Sequence, residues 1–163
     1  MLVPGERILN TAHRMKLALV ADWLPTFGGA EHVIAEFHAL WPQAPLFTTV
    51  ARRERIGPLQ GSDIRVSSLQ KWFTLLKRHE VLLPWMPRAI EAIDLRAYDV
   101  IVSSSHAVAK GIIPPSGALH VCYCHTPCAT HGKWKRNTCA ISESQGYCIV
   151  PSSAYSRASA AGT

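Results

Sequence analysis

From Lys16 onward, short apolar runs alternate with stretches of helical pattern, and this alternation limits the folds open to the chain. The run KLALVA is apolar almost throughout, as in a strand buried on both faces of a parallel sheet. A glycine-containing turn follows, and then the helical stretch AEHVIAEFHALW. Its apolar residues fall on one stripe: Val33, Ile34, Phe37, Leu40 and Trp41. The alternation predicts an α/β fold, a Rossmann-like parallel sheet with flanking helices.

The later elements follow the same pattern. PLFTTVA, YDVIVSSS and ALHVCYCHTP predict strands, and DIRVSSL predicts a short one. SLQKWFTLLKRHEVLLPWMPRAIEAI is helical in pattern and is interrupted near Pro84 and Pro87, because proline removes a helical hydrogen bond. HAVAKGII predicts a turn or a short helix.

The chain of 163 residues divides into three parts by pattern. Residues 15–127 carry the alternation, and residues 1–14 are an N-terminal extension. Residues 128–163 lack a sustained period, which predicts a divergent, poorly ordered and irregular tail. No apolar run is long enough to span a membrane, and the N-terminus lacks the basic-then-apolar order of a secretory signal. The five cysteines are not distributed along the chain as in a disulfide framework. We therefore expect a cytoplasmic protein.

Gly28 and Gly29 lie between the first predicted strand and its helix. Glycines let the backbone approach a ligand closely, and the free amides of a helix start attract phosphate groups. Ligands of open α/β sheets gather at this carboxyl edge of the strands. A diphosphate site and a plain tight turn both fit the two glycines.

The strand YDVIVSSS ends in three serines and is followed by His106, so Ser105 and His106 should lie at the same edge. They could bind a polar substrate, or a serine could simply cap the next helix. No G-x-S-x-G elbow surrounds the serines, which argues against a serine hydrolase.

Three cysteines and three histidines crowd the segment HVCYCHTPCATH. Alternation in a strand puts Cys122 and Cys124 on one face, where reduced cysteines serve as small apolar residues. His125 ends the strand, where its side chain can face the cleft. A zinc site using Cys122, Cys124 and Cys128 is the alternative, although the spacing C-x-C-H-x-x-C lacks the paired ligands of structural zinc sites.

Aromatic, aliphatic and basic residues are mixed in WFTLLKRHEVLLPWMP, and the chain carries a net charge of +6. Such a mixture suits a helix in an anionic membrane interface, or a helix that covers the sheet with a solvated basic face. No nucleic-acid-binding signature accompanies it, so we expect no nucleic-acid partner.

Three motifs in order, MKLALVADWLPTFGGAEHVIAEF, YDVIVSSSHAVAKGI and the HTP of VCYCHTP, resemble the amino-terminal half of group 1 (family 4) glycosyltransferases. The likeness covers residues 15 to about 127. It implies one half of a GT-B fold, in which an acceptor-binding domain faces a donor-binding domain across a cleft. The reaction it implies is retaining, metal-independent sugar transfer from a nucleotide-sugar to a glycan or lipid-linked acceptor, without a further cofactor.

The resemblance also implies roles for particular residues. It places Gly28 and Gly29 at the donor diphosphate, His125 as the catalytic histidine beside the transferred sugar, and Ser105 and His106 on the acceptor side. It implies an enzyme of polysaccharide or glycolipid assembly, peripheral on the inner face of the membrane.

Two departures from the family pattern stand out. Cys128-Ala129-Thr130-His131 replaces the usual run after HTP, and no two glutamates are eight positions apart, as in the family's donor domain. We therefore expect a truncated or frame-shifted product, Met15 as the original start, and little or no transferase activity of this chain alone. A non-catalytic binding module that pairs with a separately encoded donor-binding domain is the alternative.

Overall fold

The computed structural model describes residues 15–125, 140–141 and 147–150, which form one seven-stranded sheet. The strand order is β3-β2-β1-β4-β5-β7-β6. Five strands are parallel, namely β1 (Leu17–Ala21), β2 (Leu46–Thr48), β3 (Ile64–Val66), β4 (Val100–Ser105) and β5 (Leu119–Cys124). Strand β7 (Tyr147–Val150) pairs antiparallel with β5, and β6 (Ala140–Ile141) pairs antiparallel with β7. This confirms the predicted Rossmann-like α/β fold.

Within the described residues, three α-helices flank the sheet: α1 (Gly29–Leu40), α2 (Gln70–Leu76) and α3 (Met86–Glu91). Four 3₁₀ turns complete the connections, at Arg53–Arg55, Gly57–Gly61, Glu80–Trp85 and Ala109–Gly111. The predicted interruption near Pro84 and Pro87 is confirmed, because a 3₁₀ turn containing Pro84 separates α2 from α3.

The core lies on both faces of the sheet. On one face, Ile34 of α1 packs with Leu19, Leu46 and Val102 of the strands. The opposite face of the sheet buries a second cluster, made of Ala18, Val20, Phe47, Ile90, Leu95, Ile101, Ala109, Ile112 and Ala118. Burial on both faces explains why these strands read as unbroken apolar runs.

Two sequence predictions need correction. The predicted α1 stripe is only partly buried, because Leu40 is 67% exposed and Trp41 is 40% exposed at the end of the helix. The sequence also placed no core element beyond Pro127, whereas β6 and β7 extend the sheet there. The other predicted features of residues 1–14 and most of 128–163 lie outside the described residues.

No helix in the described part of the chain is both long and apolar enough to cross a membrane.

Candidate functional site

The candidate site lies where β1 and β4 end, beside the start of α1. The chain order changes direction between these two strands, since β2 and β3 lie on one side of β1 and β4 and β5 on the other. A crevice at this point is lined by Asp22, Trp23, Glu31, Ser104 and His106, among others. Ligands of open α/β sheets bind at this kind of switch point, at the carboxyl ends of the strands.

Asp22 anchors the segment that follows β4. Its side chain is 1% exposed, and its two oxygens accept hydrogen bonds from six groups on consecutive residues. The donors are the Ser105 hydroxyl at 3.0 Å, the backbone N–H groups of His106 at 2.7 Å, Ala107 at 3.0 Å, Val108 at 2.7 Å and Ala109, and the His106 imidazole, whose Nδ1 lies 3.0 Å away. All four lone-pair positions of the carboxylate are engaged, so Asp22 acts as a structural anchor.

Asp22 also shifts the pKa of His106. Burial alone would raise the pKa of Asp22, but the hydrogen bonds from the His106 side chain and from the amides of Ala109 and His106 outweigh burial and lower it. The hydrogen bond to Asp22 raises the pKa of His106, which favours an imidazolium. The ring of His106 stands edge-on to Trp23, with centroids 4.5 Å apart.

His125 is the opposite case. Its Nε2 lies 2.8 Å from the Ser104 hydroxyl, and its backbone N–H donates to the Ser105 carbonyl at 3.0 Å. Burial and the nearby charge of His106 lower the pKa of His125. The ring centroids of the two histidines are 6.3 Å apart. The two pKa shifts are therefore opposite: the surroundings favour the protonated form of His106 and the neutral form of His125, which can accept a hydrogen bond or a proton.

This arrangement is not a serine–histidine–aspartate triad. Asp22, the carboxylate that bonds to a histidine here, holds His106, whereas Ser104 bonds to His125. A triad needs the serine and the carboxylate to bond to the same imidazole, which is the base.

The structure brings together most of the predicted site residues, with two refinements. Ser105 is fully buried, and its hydroxyl donates a hydrogen bond to the Asp22 carboxylate. Ser105 can therefore influence a ligand only through Asp22 and His106. Gly28 and Gly29 lie at the start of α1, but the Gly28 amide already donates to the Glu31 carboxylate at 3.1 Å. A diphosphate at Gly28 would have to displace Glu31, whereas the space beside Gly29 is open.

The two strand cysteines are close to each other. The sulfurs of Cys122 and Cys124 lie 3.8 Å apart, which confirms that both occupy one face of β5. Their mutual hydrogen bond raises the pKa of Cys122 and lowers that of Cys124 to about 6. Within residues 15–125 and the two short C-terminal strands, no group of three or more histidines, cysteines and acidic residues could hold a metal ion. Cys128 lies outside the described residues.

Asp22 is the site residue that the sequence analysis missed, whereas Ser104 belongs to the run of three serines that it singled out. Asp22 is the first residue after the apolar run KLALVA, so it lies at the same edge as Ser105 and His106. A single acidic residue directly after a buried strand is the signal that would have indicated it.

Comparisons of this chain with protein-family models, with curated proteins and with solved structures find no match. The glycosyltransferase resemblance therefore depends on the sequence motifs, and the site geometry is the independent observation beside it.

Proposed function

We propose that residues 15–127 are the acceptor-binding half of a glycosyltransferase with a GT-B fold. In this proposal a second domain supplies the nucleotide-sugar, and the chain alone does not turn it over. The observation that carries the proposal is the pair His106 and His125 at the β1–β4 switch point, beside the start of α1. Ligands of this fold bind there, and the two imidazoles offer a donor and an acceptor to sugar hydroxyls.

Each residue has a distinct part in the proposed reaction. His106, held by Asp22, donates hydrogen bonds to the acceptor, and neutral His125 lies beside the transferred sugar. Gly29 offers open backbone to the leaving diphosphate. Retaining sugar transfer develops positive charge on the sugar and negative charge on the leaving group, so donors at the phosphate and polar groups at the sugar both stabilise the transition state.

The test is saturation-transfer difference NMR of the full chain with methyl glycosides of glucose, galactose and mannose as acceptor mimics. We expect saturation transfer to at least one glycoside, and its loss in His106→Ala and in His125→Ala. His38→Gln, at the far end of α1, is the matched control and should bind as the wild type does. Failure of all three glycosides to bind, or turnover of a nucleotide-sugar by the isolated chain, would contradict the proposal.

The finer localisation, a cytoplasmic protein peripheral on the inner face of the membrane, is also a proposal. It is supported by an apolar surface on α2 and the following turn, which we call the α2 surface. The residues that define it are exposed by 39% to 72%: Trp72, Leu75, Leu76, Val81, Leu83 and Trp85. Lys71, Lys77 and Arg78 lie in the same segment, and apolar side chains among cations favour an anionic interface.

Vesicle co-sedimentation tests this localisation. The full chain should sediment with vesicles of phosphatidylcholine and phosphatidylglycerol, and Trp72→Ser with Leu75→Gln should reduce the bound fraction. Both side chains are exposed, so the pair of substitutions leaves the core intact. Equal sedimentation of the wild type and the double variant would count against a membrane role for the α2 surface.

A further inference from the structure

A second cavity lies at the same edge of the sheet but beyond β2, away from the histidines. It is an open groove of about 700 Å³ between residues 51–55 and α2. Small-molecule sites commonly have volumes of this order. Four cations and one carboxylate line it, namely Arg52, Arg53, Arg55, Lys77 and Glu54. The excess of positive charge distinguishes this groove from the site at the histidines.

The two walls of the groove are joined by hydrogen bonds. The Gln70 side chain on α2 accepts from the Ala51 amide and donates to the Ala51 carbonyl, both at 2.8 Å. The Arg52 guanidinium donates to the Lys77 carbonyl at 3.2 Å and lies 5.4 Å from the centre of the Phe73 ring. A guanidinium held in this way loses little further freedom when it binds a ligand.

Two of the cations remain available. Arg53 donates to the Ile64 carbonyl at 2.6 Å and is part of the wall. Among the contacts of the described residues, the Arg55 guanidinium and the Lys77 ammonium make no hydrogen bond and no ion pair. Arg52, Arg55 and Lys77 thus surround a polar space from two sides.

The backbone of Lys77 places this residue at the groove. Its φ is 55°, in the left-handed region in which helices commonly end but in which a residue other than glycine is disfavoured. Here this conformation ends α2, turns the Lys77 carbonyl to Arg52 and leaves the lysine at the groove.

We propose that this groove binds a phosphate-bearing ligand, a phosphomonoester or a diphosphate, through Arg52, Arg55 and Lys77. Guanidinium groups match the geometry of phosphate oxygens, and an ammonium adds a point charge. The ligand is either a free phosphate compound or the head group of a lipid held at the adjoining α2 surface. The proposal is independent of sugar transfer, which involves His106 and His125.

The experiment measures binding of pyrophosphate to the full chain by isothermal titration calorimetry at low ionic strength. We expect Arg55→Glu to weaken binding by at least about tenfold, because it replaces a charge-assisted contact with repulsion. Lys77→Gly should also weaken binding, and it removes the strained backbone at the same time, so poor folding cannot explain that loss. Arg96→Glu is the matched control: its side chain is 85% exposed, lies outside the groove and should leave affinity unchanged.

Vesicles of phosphatidylcholine with and without phosphatidic acid form the second arm. If the chain binds vesicles with phosphatidic acid more tightly than it binds pyrophosphate, the ligand is a lipid head group. If the two affinities are equal, the ligand is a free phosphate compound. Both results support the site. The proposal is overturned if neither probe binds, or if Arg96→Glu weakens binding as much as Arg55→Glu. It is also overturned if the groove variants reduce binding to a single-stranded oligonucleotide while pyrophosphate does not bind. Glycoside binding at the histidines is measured separately, so failure of either proposal is recognised on its own.

Discussion

Asp22 shows how one buried residue can position a site. The residues after β4 are too short a segment to hold themselves in place, and four of their amides point at one carboxylate. Buried donors without a partner are costly, so the segment and Asp22 stabilise each other. The same carboxylate orients His106 and raises its pKa, which favours the protonated imidazole.

Asp22→Ala should therefore lower the free energy of unfolding by about 3 kcal/mol or more, because it leaves several buried donors unpaired. Urea unfolding followed by tryptophan fluorescence measures this change. Asp63→Ala is the matched control, since Asp63 is exposed and its ion pair is a surface contact with Arg65, and it should cost less than about 1 kcal/mol. In Asp22→Asn, the NMR-measured pKa of His106 should fall; an unchanged pKa would contradict the role of Asp22.

His120 gives the fold a pH dependence. The side chain is fully buried, its Nε2 lies 2.8 Å from the Ser103 hydroxyl, and burial lowers its pKa from 6.5 to about 4. The unfolded chain therefore binds one more proton than the folded chain between these two values. The contribution of neutral His120 to the free energy of unfolding is fully present above pH 6.5 and is lost as the pH falls towards 4.

In His120→Gln, the decrease in the free energy of unfolding at acidic pH should be smaller by about 3 kcal/mol, because glutamine does not titrate. Urea unfolding at several pH values between neutral and acidic conditions measures the difference. His32→Gln, on the exposed side of α1, should retain the wild-type slope. Identical slopes for the wild type and His120→Gln would show that His120 does not titrate as its burial implies.

At the scale of elements, hydrophobic period and proline position predicted the order and type of β1 to β5 and α1 to α3. These elements are determined by local pattern, so the sequence is sufficient. Partners are different: the contact of Asp22 with a segment more than eighty residues later depends on strand order. Contacts of that kind cannot be derived from period alone, which is why Asp22 was missed and the hydrogen bond from Ser105 to it was not predicted.

The end of α2 provides a test at this scale. Lys77 closes the helix in the left-handed region, and its amide donates to the Phe73 carbonyl at 2.8 Å. Lys77→Gly should raise the free energy of unfolding by about 0.5 to 1 kcal/mol, because glycine adopts this conformation without a Cβ clash. Lys77→Ala removes the same charge but retains the Cβ, so it should give no gain. Thermal unfolding of the two variants separates strain from charge, and equal effects would rule out strain.

For the whole molecule, stability should decrease from the centre of the sheet outwards. Strands β1 and β4 are paired on both sides and buried on both faces, whereas β3 is a three-residue edge strand with Arg65 exposed. A short, charged edge resists pairing with other chains but adds little to the core. Amides of central strands exchange with solvent only when the domain unfolds as a whole, while edges open locally.

Hydrogen–deuterium exchange with mass spectrometry tests this order. Peptides covering β1 and β4 should exchange at least about tenfold more slowly than the peptide covering β3 and α2. Leu19→Ala, in the centre, should accelerate exchange everywhere, because it creates a cavity in the shared core. Trp72→Ser, on the exposed α2 surface, should leave β1 and β4 unchanged and is the control. If β3 were as protected as β1, the sheet would unfold as a single unit, and the groove between residues 51–55 and α2 would be as rigid as the centre.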